Sequence, residues 1–283
     1  MMLAGESRDI VPIGTELRAL AWAGVMMIAA GVGIVITKHF DQIGPLAIAL
    51  IIGAAAAACY GWVALKKRAP LDDYVVLLGA LLISADVGFI EHQWKLLGDQ
   101  WQRHFLLLAV LHGLAAYFFG SRAVLSLSIA SLAAWLGIEQ RQLFLRGEVE
   151  LAIRAFICTG ILAVWREADR QARANRDFEP LFEHFGTNIA FWGALILTAD
   201  YDTRWTGLLI ALLLAALSLY HGVRRHRELF VIYAVVYGLV AIDIVVLNAL
   251  TGRIAIPAYL TVSTTIAIGA LIATHFRFRQ APA

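Results

Sequence analysis

The sequence is poor in the residues on which disulfide-linked domains and nucleic-acid-binding proteins depend. Charged side chains make up 16% of the 283 residues, and there are six prolines and two cysteines. Cys59 and Cys158 both lie in apolar segments, so neither a disulfide framework nor a zinc-type cysteine spacing is present. The two cysteines therefore do not indicate whether the protein lies in an oxidising or a reducing compartment. A net charge of +2 gives no reason to expect nucleic acid as a partner.

Catalytic motifs are absent as well. The sequence contains no GxSxG nucleophile elbow, no glycine-rich phosphate loop and no histidine pairing typical of haem. We therefore expect a protein that is not an enzyme, with no catalytic residue, no bound metal and no cofactor.

Long apolar segments dominate what is present. Hydrophobic residues make up 60% of the chain and mean hydropathy is +0.74, whereas soluble domains contain about 45–50% apolar residues. A helix needs roughly 20 apolar residues to cross the hydrocarbon core. The sequence therefore predicts an all-α, polytopic transmembrane bundle of about ten spans, with the fifth and seventh among the shortest. The spans are predicted at residues 17–37, 45–65, 74–90, 103–119, 123–138, 149–165, 185–199, 205–220, 229–250 and 254–276.

The distribution of lysine and arginine predicts the orientation. With ten spans, fifteen of the twenty-three basic residues lie on the side of the two termini, and the positive-inside rule places that side in the cytoplasm. We expect a multi-pass protein of the cell inner membrane. It would have a short cytoplasmic segment at 1–16, a single transmembrane domain at 17–276 and a cytoplasmic tail at 277–283.

One cytoplasmic loop, at 166–184, is long enough to hold structure of its own. Pro180 follows two acidic residues, a pattern that favours a helix start. Four apolar residues nearby are spaced to form a stripe, which predicts a short helix lying on the membrane surface. The stripe consists of Phe178, Leu181, Phe182 and Phe185.

Four ionisable residues lie within predicted spans: Asp86, His112, Arg154 and Asp243. Charged groups are costly in hydrocarbon, so each needs a partner or a role. The rise of about 1.5 Å per residue places Asp86, Arg154 and Asp243 in one layer near the outer face. Arg154 would either tie the two acids together structurally, or the three would line an outward-facing polar site in which an acid binds a proton or cation. His112 would be a packing residue or a proton relay.

The external loop after the third span is the densest polar and aromatic patch. The expected site residues there are Glu91, His92, Gln93, Trp94, Gly98, Asp99 and Trp101. Gly98 and Asp99 predict a turn, with Asp99 as the N-cap of the following helix. Acidic and histidine residues in this loop lack the helical spacing of metal ligands, so a metal site is not expected.

The loop and the hairpin after it resemble a known family. Gln93 and Trp94, the turn Gly98-Asp99 with Trp101, and the later Ser121-Arg122 turn resemble a bacterial family of polytopic membrane proteins catalogued as a domain of unknown function, DUF2157. The resemblance covers about sixty residues. It implies a membrane location and many helices, and it assigns no activity.

Two functional classes remain open, with an intramembrane enzyme a distant third. A small-molecule or lipid transporter-like protein is favoured by the number of spans and the shared polar layer. A non-catalytic accessory subunit or sensor is favoured by the short loops. The expected partners are the lipid bilayer and a small-molecule or lipid substrate.

Overall fold

The computed structural model describes residues 20, 23–28, 30–31, 33–34, 44–66, 72–100, 102–137, 149–172, 178–250 and 255–280. All regular structure among these residues is helical, with no strand. Nine α-helices have both ends in the described part, and a 3₁₀ turn spans Gly98–Gln100. The helices are α1 Pro45–Ala64, α2 Asp72–Trp94, α3 Arg103–Phe119, α4 Arg122–Trp135, α5 Val149–Ala172, α6 Glu179–Ala199, α7 Arg204–Arg224, α8 Glu228–Ala249 and α9 Ala255–Gln280.

Five of these helices are long and apolar enough to cross a membrane: α1, α2, α7, α8 and residues 256–276 of α9. Helices α3 and α4 are apolar but shorter. The expectation of an all-helical membrane protein is confirmed at this coarser level. The described residues of the predicted first span, 17–37, are all helical, and the rest of that span lies outside the described residues.

The helix ends follow local chemistry. Pro45 occupies the first turn of α1, where its missing N–H leaves no hydrogen bond unmade. Gly120 ends α3 in the left-handed conformation at φ 57°, which glycine adopts without a steric penalty. The turn between α3 and α4 therefore lies at the Ser121-Arg122 motif.

The chain divides into two compact units, Met1–Ser131 and Leu132–Ala283, with the boundary inside α4. In the first unit α1 packs against α2, and α2 against α3. Ile48, Ile52 and Ala56 of α1 form an apolar cluster with Leu82 of α2. The predicted single domain at 17–276 stays a prediction.

In the second unit α6 is the central helix, packed against α5, α7 and α8. It holds more of this unit's buried residues than any other helix, among them Phe191 and Ala194. Helix α9 packs mainly against α8, and only 6% of its apolar segment is buried.

The predicted surface helix in the 166–184 loop is wrong. Helix α5 continues to Ala172 and α6 begins at Glu179, so the described parts of the segment belong to these two helices. Phe178 is fully buried and Phe182 is 2% exposed. Their apolar stripe faces protein because it continues the buried face of α6.

Candidate functional site

Asp243 is the most completely paired of the four predicted polar residues. Its carboxylate accepts hydrogen bonds from the Tyr259 hydroxyl at 2.7 Å and from the Ser263 hydroxyl at 2.7 and 3.0 Å. Both donors lie on α9, so the residue joins α8 to α9.

Arg154 lies near the start of α5 and donates to Glu150, one turn earlier, at 2.5 Å. Its side chain is 43% exposed. In the described part of the second unit Arg154 and Asp243 therefore use different partners. The predicted layer that also includes Asp86 stays a prediction.

The two candidates of the first unit each keep one buried polar atom without a hydrogen-bond partner among the described residues, Nδ1 of His112 and Oδ1 of Asp86. Buried His112 lies within hydrogen-bond distance of the Ala80 carbonyl, 3.1 Å, and the Ser84 hydroxyl, 3.2 Å, both through Nε2. Asp86 lines a groove between α1 and α2, and its Oδ1 has no partner among the described residues. Gly53 makes room for this carboxyl group, because a Cβ there would lie 3.2 Å from Oδ2.

The residues of the predicted external loop divide between the last turn of α2, which ends at Trp94, and the 3₁₀ turn at Gly98–Gln100. Glu91 accepts the Leu97 N–H at 3.1 and 3.2 Å, and Trp94 packs edge-on against Phe89. His92 is exposed and Gln93 is half-buried.

The predicted N-cap is wrong. Gly98 has φ 53°, and Asp99 lies within the 3₁₀ turn. The N-cap of α3 is Gln102, which makes no side-chain cap bond. The Asp99 side chain and Trp101 lie outside the described residues.

A charged network that the sequence analysis did not find lies in the second unit. Arg166 of α5 donates to Glu179 at 2.5 Å and to Glu183 at 2.6 Å, both on α6. The other oxygen of Glu183 accepts from Arg227, which precedes α8. The Glu183 side chain is only 6% exposed, so the two guanidinium groups compensate a buried carboxylate.

A pocket of about 430 Å³ lies beside this network, between α5, α6, α7 and the start of α8. We call it the α5–α8 pocket. Small-molecule sites have volumes of roughly 300–1,000 Å³ and combine apolar walls with a few polar groups. Its lining residues are Thr159, Leu162, Ala163, Arg166, Phe182, Glu183, Gly186, Thr187, Ala190, Leu214, Leu217, Ser218, Tyr220, His221 and Phe230.

The polar side chains of the pocket are unequally satisfied. Thr159 donates to the Ala155 carbonyl and Ser218 to the Phe230 carbonyl. In contrast, Arg166 Nε and His221 Nε2 are buried with no hydrogen-bond partner among the described residues. Unsatisfied buried groups are rare and need a physical reason. These two nitrogens are the polar atoms of the pocket that a ligand could contact without displacing an existing hydrogen bond.

Gly186 shows that the pocket reaches the backbone of α6. The residue is buried, yet a Cβ built on it meets no atom within 4 Å. A buried helical glycine normally packs against a neighbour, as Gly193 does against Ala155. The space in front of Gly186 therefore belongs to the pocket.

Arginines act on Glu179 at the end of the pocket that contains Arg166. The Arg166 hydrogen bond lowers the pKa of Glu179 below its usual value; burial opposes it as the second-largest effect, and the charges of Arg166, Arg227 and Arg225 add smaller lowering effects. Glu179 is therefore ionised at neutral pH, as its role as an acceptor requires.

The network had a signal in the sequence that was not used. Phe178, Phe182, Gly186 and Ala190 recur at four-residue spacing, which places them on one face of a continuous helix. Glu183 lies beside that face. Hydropathy alone ends the sixth span before Arg166 and begins the seventh after Glu183, and thereby assigns the charged residues to a loop.

Among the described residues no group of three or more His, Cys, Asp or Glu could hold a metal ion.

Apolar helices of spanning length define a helical membrane protein. Residues 4–125 match the model of a family described as predicted membrane protein (DUF2157), so the resemblance drawn from Gln93 to Arg122 is confirmed. No curated protein and no solved structure matches the chain significantly. The α5–α8 pocket lies outside the matched part.

Proposed function

We propose that the protein is a transporter-like, non-catalytic membrane protein that takes a small molecule or lipid into the α5–α8 pocket. The observation that carries this proposal is the pocket itself, with apolar walls and two unpartnered polar atoms at one end. The pocket supports ligand binding better than Arg154 and Asp243 do, because those two residues already have close partners.

The position of the pocket supports entry of the ligand from the bilayer. Leu217 and Tyr220 line it and are 64% and 60% exposed, so the rim is open at α7. Since α7 is one of the helices suited to span a membrane, this opening would face lipid. We further propose ten spans with cytoplasmic termini in the inner membrane, which puts the Arg166 end of the pocket on the cytoplasmic side.

The test is a substitution that fills the α5–α8 pocket and leaves the residues of the charged network unchanged. In Gly186→Leu the new side chain would extend into open space, and leucine favours a helix over glycine by up to about 1 kcal/mol, so the variant should fold. The matched control is Gly160→Leu, on α5, where the glycine is exposed and also meets no atom within 4 Å.

The measurement is photolabelling of the full-length protein in nanodiscs with a diazirine-bearing palmitic acid, its alcohol and its amine. We expect at least one probe to label peptides of α5, α6 or α7, Gly186→Leu to reduce this labelling at least tenfold, and Gly160→Leu to leave it unchanged. Labelling that is equal in all three proteins, for every probe, would refute the binding site.

A second measurement distinguishes a transporter from a sensor. The probe that binds is placed in the outer leaflet of proteoliposomes, and its appearance in the inner leaflet is followed. A transporter moves the probe faster than Gly186→Leu does, whereas a sensor binds it and gives equal rates for the two proteins.

A further inference from the structure

We infer that the groove between α1 and α2 binds a lipophilic amine, with the ammonium group on the Asp86 carboxylate. The groove lies in the first unit and within the residues that match the family model, so this inference is independent of the α5–α8 pocket. It follows from the missing countercharge of Asp86, the apolar lining of the groove and the position of the acid in it.

Asp86 has no countercharge among the described residues. Its Oδ1 has no hydrogen-bond partner, and no ion pair of the described part involves it. The carboxyl group faces α1 across Gly53, and α1 carries no charged residue over its whole length. The fold therefore places an acid against an apolar helix without supplying a positive charge, which is costly in a helix of spanning length.

Neither a proton nor a lipid chain alone satisfies this carboxyl group. Protonation removes the charge but creates a hydroxyl donor, for which the groove lining offers no side-chain acceptor. An acyl chain of a bilayer lipid fills apolar space and adds no donor. An ammonium group supplies both the charge and N–H donors, and such charge-assisted hydrogen bonds are roughly twice as strong as neutral ones.

The groove suits the apolar part of such a molecule. Its volume is about 630 Å³, within the roughly 300–1,000 Å³ of small-molecule sites. Apart from Asp86 its lining is apolar, and the Trp94 indole N–H is the one other polar side-chain group. Leu46 and Leu50 of the lining are 64% and 65% exposed, so the groove is open along α1.

The position of the acid sets the length of the ligand. Asp86 lies eight residues before Trp94, the last residue of α2, which is about 12 Å along the helix. Trp94 and Leu96 line the groove at that end. An amine on Asp86 would therefore extend a single short chain toward Trp94.

The experiment measures the head-group preference of α1 and α2. Diazirine-bearing octylamine, octanol and octanoic acid are applied at equal membrane concentration to the full-length protein in nanodiscs. Adducts on α1 and α2 are divided by adducts on α9, because only 6% of the apolar segment of α9 is buried and it reports the probe in the bilayer. We expect the ratio for the amine to exceed that for the alcohol at least tenfold, with the acid lowest.

Competition separates the two parts of the ligand. Excess unlabelled octylamine should abolish the preference for the amine. Methylammonium and octanol, which carry the head group or the chain alone, should leave it unchanged. If octanol competes as well as octylamine does, the ammonium group does not contribute and the inference is wrong.

Asp86→Asn tests the carboxylate. Asparagine keeps the shape of the side chain and removes its charge, so we expect the preference for the amine over the alcohol to fall at least fivefold. The matched control is Asp73→Asn, which changes an exposed acid of the same helix and should leave the preference unchanged. An equal preference in the wild-type protein and in Asp86→Asn would disprove the role of the carboxylate.

Two neighbouring alanines of α1 test the groove. Ala54 lines it, whereas Ala55 is also exposed but is not part of the lining. Leucine is a good helix former at either position, and both variants keep Asp86, so they test the inference even if Asp86→Asn does not fold. Ala54→Leu should lower amine labelling of α1 and α2 at least fivefold, and Ala55→Leu should leave it unchanged. Equal labelling of the two variants would refute the groove as the site.

This inference and the proposed function fail separately. Gly186→Leu should not alter amine labelling of α1 and α2. If the three probes label α1 and α2 equally, Asp86 does not bind an amine, and the α5–α8 pocket is unaffected by that result. If Gly186→Leu abolishes the preference for the amine, the labelling comes from the α5–α8 pocket and the inference is wrong.

Discussion

At the scale of single residues, a polar group in an apolar bundle is informative when its partners are known. Asp243 has hydroxyl donors from the next helix, and Arg154 has Glu150 beside it on its own helix. Arg166 and His221 keep unpartnered atoms in a pocket. The sequence identifies which polar residues are costly to place in an apolar bundle. Only the tertiary contacts show which of them have hydrogen-bond or ion-pair partners.

Asp243 gives a prediction of this kind. Removing both donors with Tyr259→Phe and Ser263→Ala leaves the carboxylate of half-buried Asp243 without them. An unsatisfied group costs roughly 1–3 kcal/mol when fully buried, so a cost toward the lower end applies here. We expect hydrogen–deuterium exchange of α9 amides to rise about tenfold, equivalent to ~1.4 kcal/mol, with α6 unchanged as an internal reference.

Adding Asp243→Leu to that double variant removes the unpaired group, and most of the protection of α9 should return. Replacing all members of a buried polar group is less costly than leaving one member alone. If hydrogen–deuterium exchange of the α9 amides in the triple variant stays as high as in the double variant, or rises further, Asp243 does not join the two helices in this way.

At the scale of helices, the sequence predicts the apolar segments well and the charged ends poorly. The predicted span 103–119 coincides with α3, and 45–65 differs from α1 by one residue. In contrast, α5 runs seven residues beyond its predicted end and α6 begins six residues before its predicted start. Hydropathy measures how well a segment fits the lipid hydrocarbon. Arg166, Glu167 and Glu179 fit poorly there, but they are compatible with a helix that continues beyond the hydrocarbon.

The contact between α6 and α7 depends on a single glycine. A Cβ on Gly207 would lie 2.3 Å from the backbone nitrogen of Thr198 and 2.5 Å from the carbonyl carbon of Leu197. Backbone atoms cannot rotate away as a side chain can, so Gly207→Ala must separate the two helices. Overpacking of this kind costs about 1–3 kcal/mol.

The reactivity of buried Cys158 toward a maleimide dye during heating, in a Cys59→Ser background, measures the loss. We expect Gly207→Ala to lower the unfolding temperature clearly. Gly160→Ala should raise it or leave it unchanged, because that position is open and alanine favours a helix. Equal unfolding temperatures for the two variants would contradict the close approach of α6 and α7.

At the scale of the whole molecule, the proposed ten-span topology depends on the shortest helix. Helix α4 has 14 residues, about 21 Å at ~1.5 Å per residue, while the hydrocarbon core is about 30 Å thick. Crossing would require a thinned bilayer or flanking side chains that reach the interface. If α4 does not cross, every later segment changes sides.

Single cysteines in a Cys59→Ser, Cys158→Ser background test this directly, with an impermeant maleimide added to spheroplasts. Exposed positions Gln100, Asp202 and Arg225 lie on turns before and after α4. With ten spans, cysteines at 100 and 202 are labelled from outside and the cysteine at 225 only after lysis. If α4 stays on one side, position 100 is still labelled, but 202 becomes protected and 225 accessible. That reversal would also move the Arg166 end of the α5–α8 pocket to the outer face, so this measurement decides from which side a head group would enter.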